Sequence, residues 1–324
     1  MHELKPRVFV TCVDFPSEAL QLLQEKCEVL LCEQVDPTKE QVHKMVKNMD
    51  ALLWFWFPST GMDKALLDAV GPSLKAFSLI SSGHEHVDMN EVKRRGIKAG
   101  FVPFVQDAAV ADIGIALLLA VAKRLQEGIE IMATGTWDSW QQSFLGLDIY
   151  QSTVGIIGLG GVGKAIAKRI KGFEVARLLY SGPSKKSEAE NFGAEYVSFD
   201  EILRQSDYIF ISCRLNTNTK GMFNDAAFDK MKPNAILINI GRGGIIDQEA
   251  LIRALEKKKI WGAGLDVMTP EPLPSDSSLL RLNNCVITPH IGSATKKTRT
   301  ELAVLAAKNI LAALDGKPMP LPLT

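Results

Sequence analysis

The feature that most constrains this 324-residue chain lies in its middle. TVGIIG (153–158) runs into Gly158-Leu159-Gly160-Gly161-Val162-Gly163, and KAIAKRIKGF follows. An apolar run, a glycine turn and an amphipathic stretch in that order read as strand, turn and helix. Gly158 permits the tight turn, Gly160 lets backbone approach a ligand, and Gly163 lets the helix pack closely on the strand. Unpaired N–H groups and a positive dipole end at the start of that helix make a backbone anion site, suited to a dinucleotide pyrophosphate.

The rest of the chain agrees with a parallel α/β architecture. RVFVTCV (7–13), CEVLLC (27–32), ALLWFW (51–56) and KAFSLI (75–80) read as buried strands, and 16–26, 38–48 and 62–70 carry helical apolar spacing. A second series starts at Thr153, with strands at 153–158, 176–181, 208–212, 235–240, 262–267 and 285–289. Between the two series, 107–132 reads as one long helix whose first half, AAVADIGIALLLAVA, is apolar nearly all round. Such a helix is buried on more than one side, in a core or a subunit interface. A last helix is expected from about Ser293 to Leu314. At about 150 residues per domain the length suggests two domains.

Composition narrows the partners. Lys plus Arg and Asp plus Glu are 37 each, so the net charge is zero. Nucleic acid and acidic membrane surfaces select for a basic excess, so neither is expected as a partner. The longest apolar stretch, 108–122, is interrupted by Asp112 and is too short to span a bilayer. Five cysteines, an odd number without a CxxC, and the lack of a recognisable secretion signal point to a reducing, cytoplasmic setting without a structural zinc. No metal site is expected.

The cofactor's adenosine end is read from the strand after the glycine turn. An Asp or Glu usually binds the ribose 2′-hydroxyl there. This chain has Ser181-Gly182-Pro183-Ser184-Lys185-Lys186 instead. A hydroxyl and two ammonium groups, with no carboxylate to repel it, suit a 2′-phosphate, so NADP(H) is expected over NAD(H).

Taken together, VGIIGLGGVGKAIAKRI (154–170), ILINIGRGGIIDQEALIRAL (236–255), GAGLDVMTPEPLP (262–274) and VITPHIGSAT (286–295) resemble the D-isomer-specific 2-hydroxyacid dehydrogenase family over nearly the whole chain. SSGHEHVD (81–88), TWDSW (136–140), QSTVGIIGLG (151–160) and PEPLP (270–274) narrow the likeness to its glyoxylate- and hydroxypyruvate-reducing branch. The resemblance implies two Rossmann-like doubly wound domains with the active site in the cleft between them. The substrate domain would be 1–103 plus 293–324, and the cofactor domain 104–292, including a dimerisation helix and loop at 107–150.

Reduction of a 2-keto acid needs a hydride, a proton for the carbonyl oxygen and a grip on the carboxylate. His290, after the strand CVITP, suits proton donation. A carboxylate at Glu271 would orient it and stabilise its imidazolium. Arg242, among Gly241, Gly243 and Gly244, has the planar fork that grips a carboxylate. These three match the family's catalytic trio. By the same resemblance, Ser82 and Gly83 offer backbone N–H groups to the substrate. Asp266 would face the nicotinamide carboxamide, Gly292 would lie against the nicotinamide, and Asn216 and Thr219 would line the cofactor. Trp140 would reach the pocket of a partner subunit in a homodimer. Three departures stand out: Ala111-Asp112 replaces the family's Ala-Glu, Pro183 stands where an arginine is usual, and 52–64 is unusually aromatic, with Trp54 expected in the core. Two other readings stay open: an NAD-linked dehydrogenase of other substrate range, and a dinucleotide-binding corepressor-like module with little turnover.

Overall fold

The computed structural model describes residues 4–11, 13–35, 37–55, 60–137 and 144–323. The chain divides into two compact units, 1–106 with 294–324, and 107–293.

The first unit is a βα series: β1 (Arg7–Val10), α1 (Ser17–Gln24), β2 (Glu28–Leu31), α2 (Lys39–Met45), β3 (Ala51–Trp54), α3 (Lys64–Val70), β4 (Ala76–Leu79), α4 (Met89–Arg94) and β5 (Lys98–Gly100). All neighbouring strands pair in parallel, in the order β2-β1-β3-β4-β5. That is the flavodoxin-like doubly wound order. The central strands β3 and β4 are buried at every position, which explains why they read as continuous apolar runs. Trp54 is fully buried, in agreement with its expected core position. Thr38 and Gln41 form a capping box that fixes the start of α2.

The second unit opens with α5 (Asp107–Ala122) and α6 (Leu125–Thr134), then β6 (Thr153–Ile157), α7 (Gly161–Ile170), β7 (Arg177–Ser181), β8 (Ala194–Tyr196), α8 (Phe199–Gln205), β9 (Tyr208–Ile211), α9 (Asp225–Phe228), β10 (Ile236–Asn239), α10 (Gln248–Glu256), β11 (Gly262–Leu265) and β12 (Cys285–Ile287). The final helix, α11 (Lys296–Leu314), returns to the first unit, where its Leu302, Ala303, Ala306, Ala307 and Ile310 join the core formed with β1 and β3. The seven strands of the second unit are all parallel, in the order β12-β11-β10-β9-β6-β7-β8. Counted from β6, this is the Rossmann order with one further strand, so the topological switch falls between β6 and β9. There Ile157 is level with Ile211 on one side and Ser181 on the other, so the three strands end together.

One helix expected over 107–132 is instead two. Arg124 adopts a left-handed φ of 54° between α5 and α6. The cause is the returning segment 144–147. Leu147 donates its N–H to the Ala122 carbonyl at 2.8 Å, taking the acceptor that a continuous helix would use. Arg124 turns outward to bond Glu127 and stacks 4.2 Å over the Phe144 ring. The apolar α5 buries Ala111, Gly114, Leu117, Leu118 and Val121 within its own unit. Among the described residues, no helix is long and apolar enough to cross a membrane.

Candidate functional site

Each feature of the second unit described below lies in a loop at the carboxyl end of a strand, where parallel sheets place their ligands. After β6, Gly158 takes a φ of +96°, a conformation that favours glycine. A β-carbon there would also press against the Cys213 backbone at 2.8–2.9 Å. Its N–H donates to Ser181 and its carbonyl accepts from the Ser212 hydroxyl, both at 2.8 Å. A β-carbon on Gly163 would overlap the Gly158 carbonyl, so α7 lies directly on the strand end. Beside Gly160 the space is open, and no side chain caps α7. Amides at Gly161, Val162 and Gly163, the first turn of α7, therefore suit a phosphate. The turn fits a dinucleotide by construction: close packing where the helix must approach, and open room where backbone must meet ligand.

At the end of β7, Ser181 is buried. The following turn is held by Tyr180, whose hydroxyl accepts the Lys186 N–H at 2.8 Å, and by Tyr196, whose hydroxyl donates to Gly182 at 3.0 Å. Lys185 is exposed, and neither Lys185 nor Lys186 makes an ion pair with a described residue. After β9, Asn216 and Thr219 mostly build their own turn. Asn216 Oδ1 accepts the N–H groups of Asn218 and Thr219, while the Thr219 hydroxyl accepts from Asn216 N–H and donates to Arg214.

The loops after β10, β11 and β12 bring two of the trio into contact and the third within electrostatic reach. His290 has a left-handed φ of 53°, and its Nδ1 is 2.8 Å from Glu271 Oε2. Glu271 Oε1 accepts the Met268 N–H at 2.9 Å. The carboxylate is the better shielded partner, 15% exposed against 43% for the imidazole. Burial alone pushes the Glu271 carboxyl up. The hydrogen bond and charge of His290, the Met268 N–H and the Arg242 charge outweigh it, so the carboxyl is held below its ordinary 4.5. With Nδ1 committed to Glu271, His290 Nε2 has no partner among the described residues.

Asp266 does something the sequence reading did not assign to it. Its buried carboxylate accepts from the Thr288 hydroxyl at 2.6 Å and from the Ile291 and Gly292 N–H groups at 2.9 and 2.8 Å. It thereby ties the end of β11 to the loop that carries His290. Asn239, also missed, plays the same part for Arg242. Fully buried at the end of β10, it donates to the Arg242 carbonyl at 3.0 Å and accepts the Gly241 N–H at 3.1 Å. The signal was present in the sequence as a lone amide closing the apolar run AILINI. A β-carbon on Gly243 would overlap the Met268 backbone, so the Arg242 loop is seated on the loop that carries Glu271.

Ser82 and Gly83 belong to the first unit, in the loop after β4. Ser81 donates its hydroxyl to the Gly83 carbonyl at 3.1 Å, and the Gln106 amide donates to the Ser82 hydroxyl at 2.6 Å. Gln106 was also missed. Trp140 lies outside the described residues, as do Trp56 and Phe57. Among the described residues no group of three or more His, Cys, Asp or Glu side chains could hold a metal ion. Cys27, Cys32, Cys213 and Cys285 are free thiols.

A Rossmann sheet with a glycine phosphate turn, and an imidazole–carboxylate pair with an arginine at neighbouring strand ends, define a nicotinamide-dinucleotide oxidoreductase. Residues 115–292 match the model for the NAD-binding domain of D-isomer-specific 2-hydroxyacid dehydrogenases. The chain belongs to that family, whose members are NAD(P)-dependent oxidoreductases of 2-hydroxy acids. It is 48% identical to the glyoxylate reductase/hydroxypyruvate reductase of Homo sapiens over 264 residues, 81% of this chain and 80% of the relative. It is 44% identical to the Mus musculus protein of the same name, over 97% of this chain and 96% of that one. Among solved structures, the TT0316 protein of Thermus thermophilus superposes with a TM-score of 0.91 at 36% identity, covering 98% of this chain and all of that one.

Proposed function

We propose that this protein reduces glyoxylate and hydroxypyruvate with NADPH. The observation that carries the reading is the 2.8 Å contact between His290 Nδ1 and Glu271, beside the charge of Arg242. The names of the two mammalian relatives support the substrate choice.

When bound, the cofactor supplies the hydride. The protein's own residues do the rest. The amides from Gly160 to Gly163 hold the pyrophosphate, and Ser181, Lys185 and Lys186 receive the 2′-phosphate. Asn216, Thr219, Asp266 and Gly292 shape the remaining cofactor surface. Arg242 grips the substrate carboxylate. His290, with Nδ1 fixed by Glu271, gives the proton on Nε2 to the carbonyl oxygen as hydride arrives at carbon. Glu271 stabilises the imidazolium before that transfer. The chain acts as a homodimer: Leu125, Ile129 and Met132 form one stripe on α6 and are 50%, 69% and 62% exposed, an apolar face that a second copy would cover.

The test is consumption of NADPH and NADH with glyoxylate, hydroxypyruvate and pyruvate, alongside gel filtration. Turnover of the first two substrates with a lower KM for NADPH is expected. Preference for NADH returns the chain to the NAD-linked dehydrogenases. Absence of turnover with all three substrates favours a binding module, and a stable monomer removes the dimer.

A further inference from the structure

One acidic side chain beside the glycine turn has no part in the chemistry above. Asp107 opens α5, and its carboxylate lies so close to the α-carbon of Gly161 that any β-carbon there would overlap it. Gly161 is the first residue of α7, the helix whose amides are proposed above to hold the cofactor pyrophosphate. Among the described residues, no donor and no ion-pair partner reaches this carboxylate. The one cation that acts on it is Lys164 of α7, already engaged by Glu188 at 3.4 Å. Further along the same two helices, Arg169 is committed to Asp112 at 2.6 Å and to the Ala108 carbonyl. Burial pushes the Asp107 carboxyl up, and Lys164 pulls it partly back.

An unpaired, half-buried acid is costly to keep. Its position as the first residue of α5 favours that helix's dipole, but does not require the carboxylate to lie on Gly161. At that point it places a negative charge beside the amides meant for an anion. We propose that Asp107 sets the affinity of the cofactor turn: its ionised carboxylate repels the dinucleotide pyrophosphate, and its protonation or replacement tightens binding. The proposal rests on the reading that this turn holds the pyrophosphate. Uncapped amides alone would favour tight retention of the product cofactor, and the carboxylate offsets part of that attraction, easing release.

The sign follows from linkage. Bound phosphate raises the Asp107 carboxyl further above its already raised value, so binding takes up a proton. Affinity therefore falls as pH rises past the value in the free protein and levels off above the value in the complex.

Calorimetric titration with ADP-ribose tests this, because ADP-ribose carries the pyrophosphate but no 2′-phosphate that would itself titrate. The full chain is compared with Asp107→Asn and Asp107→Ser over about pH 5 to 8. Both variants are expected to bind about tenfold more tightly near neutrality, with little pH dependence, and the parent should converge on them in acid. Equal or weaker binding by both variants overturns the proposal and leaves the turn as the phosphate site. If the parent and both folded variants bind no ADP-ribose, the phosphate-site reading falls and the proposal falls with it.

Discussion

Two loop regions at the carboxyl ends of the same seven-stranded sheet solve different problems by different means. The turn after β6 is built almost wholly from backbone: a left-handed Gly158, an open Gly160, and a Gly163 whose missing β-carbon admits the helix. The loops after β10, β11 and β12 are built from side chains. Asn239 positions the Arg242 loop, Asp266 positions the His290 loop, and Glu271 fixes the imidazole. A phosphate needs donors at fixed positions, and amides supply them without titrating. Proton transfer needs a group that titrates, so its surroundings must orient and tune a side chain. Disturbing the first region should change packing, whereas disturbing the second should change chemistry.

The largest expected effect breaks the chemical region. His290→Gln should lower turnover by about two to four orders of magnitude, with little change in cofactor binding. Steady-state kinetics and a cofactor titration check both halves, and near-normal turnover would remove His290 from its role. Next comes its support. Asp266→Ala strips an acceptor from Thr288, Ile291 and Gly292 at once and should destabilise the second unit by about 2–3 kcal/mol. Because His290 loses its anchor, kcat should fall in the folded variant as well. A loss of stability with kcat unchanged would make Asp266 a purely structural residue. The backbone region provides the contrast. Gly163→Ala forces a β-carbon onto the Gly158 carbonyl and should cost about 1–3 kcal/mol in thermal unfolding. It should raise the cofactor KM while sparing kcat at saturation.

This contrast also explains what was legible in the sequence. The glycine turn could be read directly, because few residues other than glycine satisfy its geometry and the flanking strand and helix announce themselves by period. His290, Glu271 and Arg242 were found through family motifs, not through any local pattern. Gln106 and the bonding role of Asp266 depend on partners 22 or more residues away, which nothing local marks, whereas Asn239 bonds Gly241 and Arg242 next to it and was signalled only by a lone amide closing an apolar run. The split between α5 and α6 was hidden for the same reason: apolar spacing runs through it, and the break depends on Leu147 returning to the Ala122 carbonyl. Strands β5 (KAG) and β8 (AEY) were overlooked because neither carries an apolar run, unlike the equally short β12 (CVI).

The smallest expected effect concerns acid stability, and it separates the two regions most cleanly. In the folded protein Glu271 titrates below its ordinary 4.5. A carboxyl depressed in this way adds stability that is fully present above its unfolded value and disappears as pH falls through its folded value. His290→Gln removes both the charged hydrogen bond and the charge that lower Glu271, leaving burial opposed only by Met268 and Arg242. The Glu271 carboxyl then moves upward, so the variant lacks the stability that the depressed carboxyl adds above its unfolded value, and its deficit relative to the parent should shrink as pH falls through the parent's folded value. Gly163→Ala introduces no titrating group and leaves Glu271 alone, so its loss of stability should be nearly constant across the same range. Circular dichroism followed as pH is lowered would compare the three proteins. Parallel curves for His290→Gln and the parent would show that the imidazole does not hold the carboxylate in solution, and the division between a backbone-built and a side-chain-built region would lose its electrostatic basis.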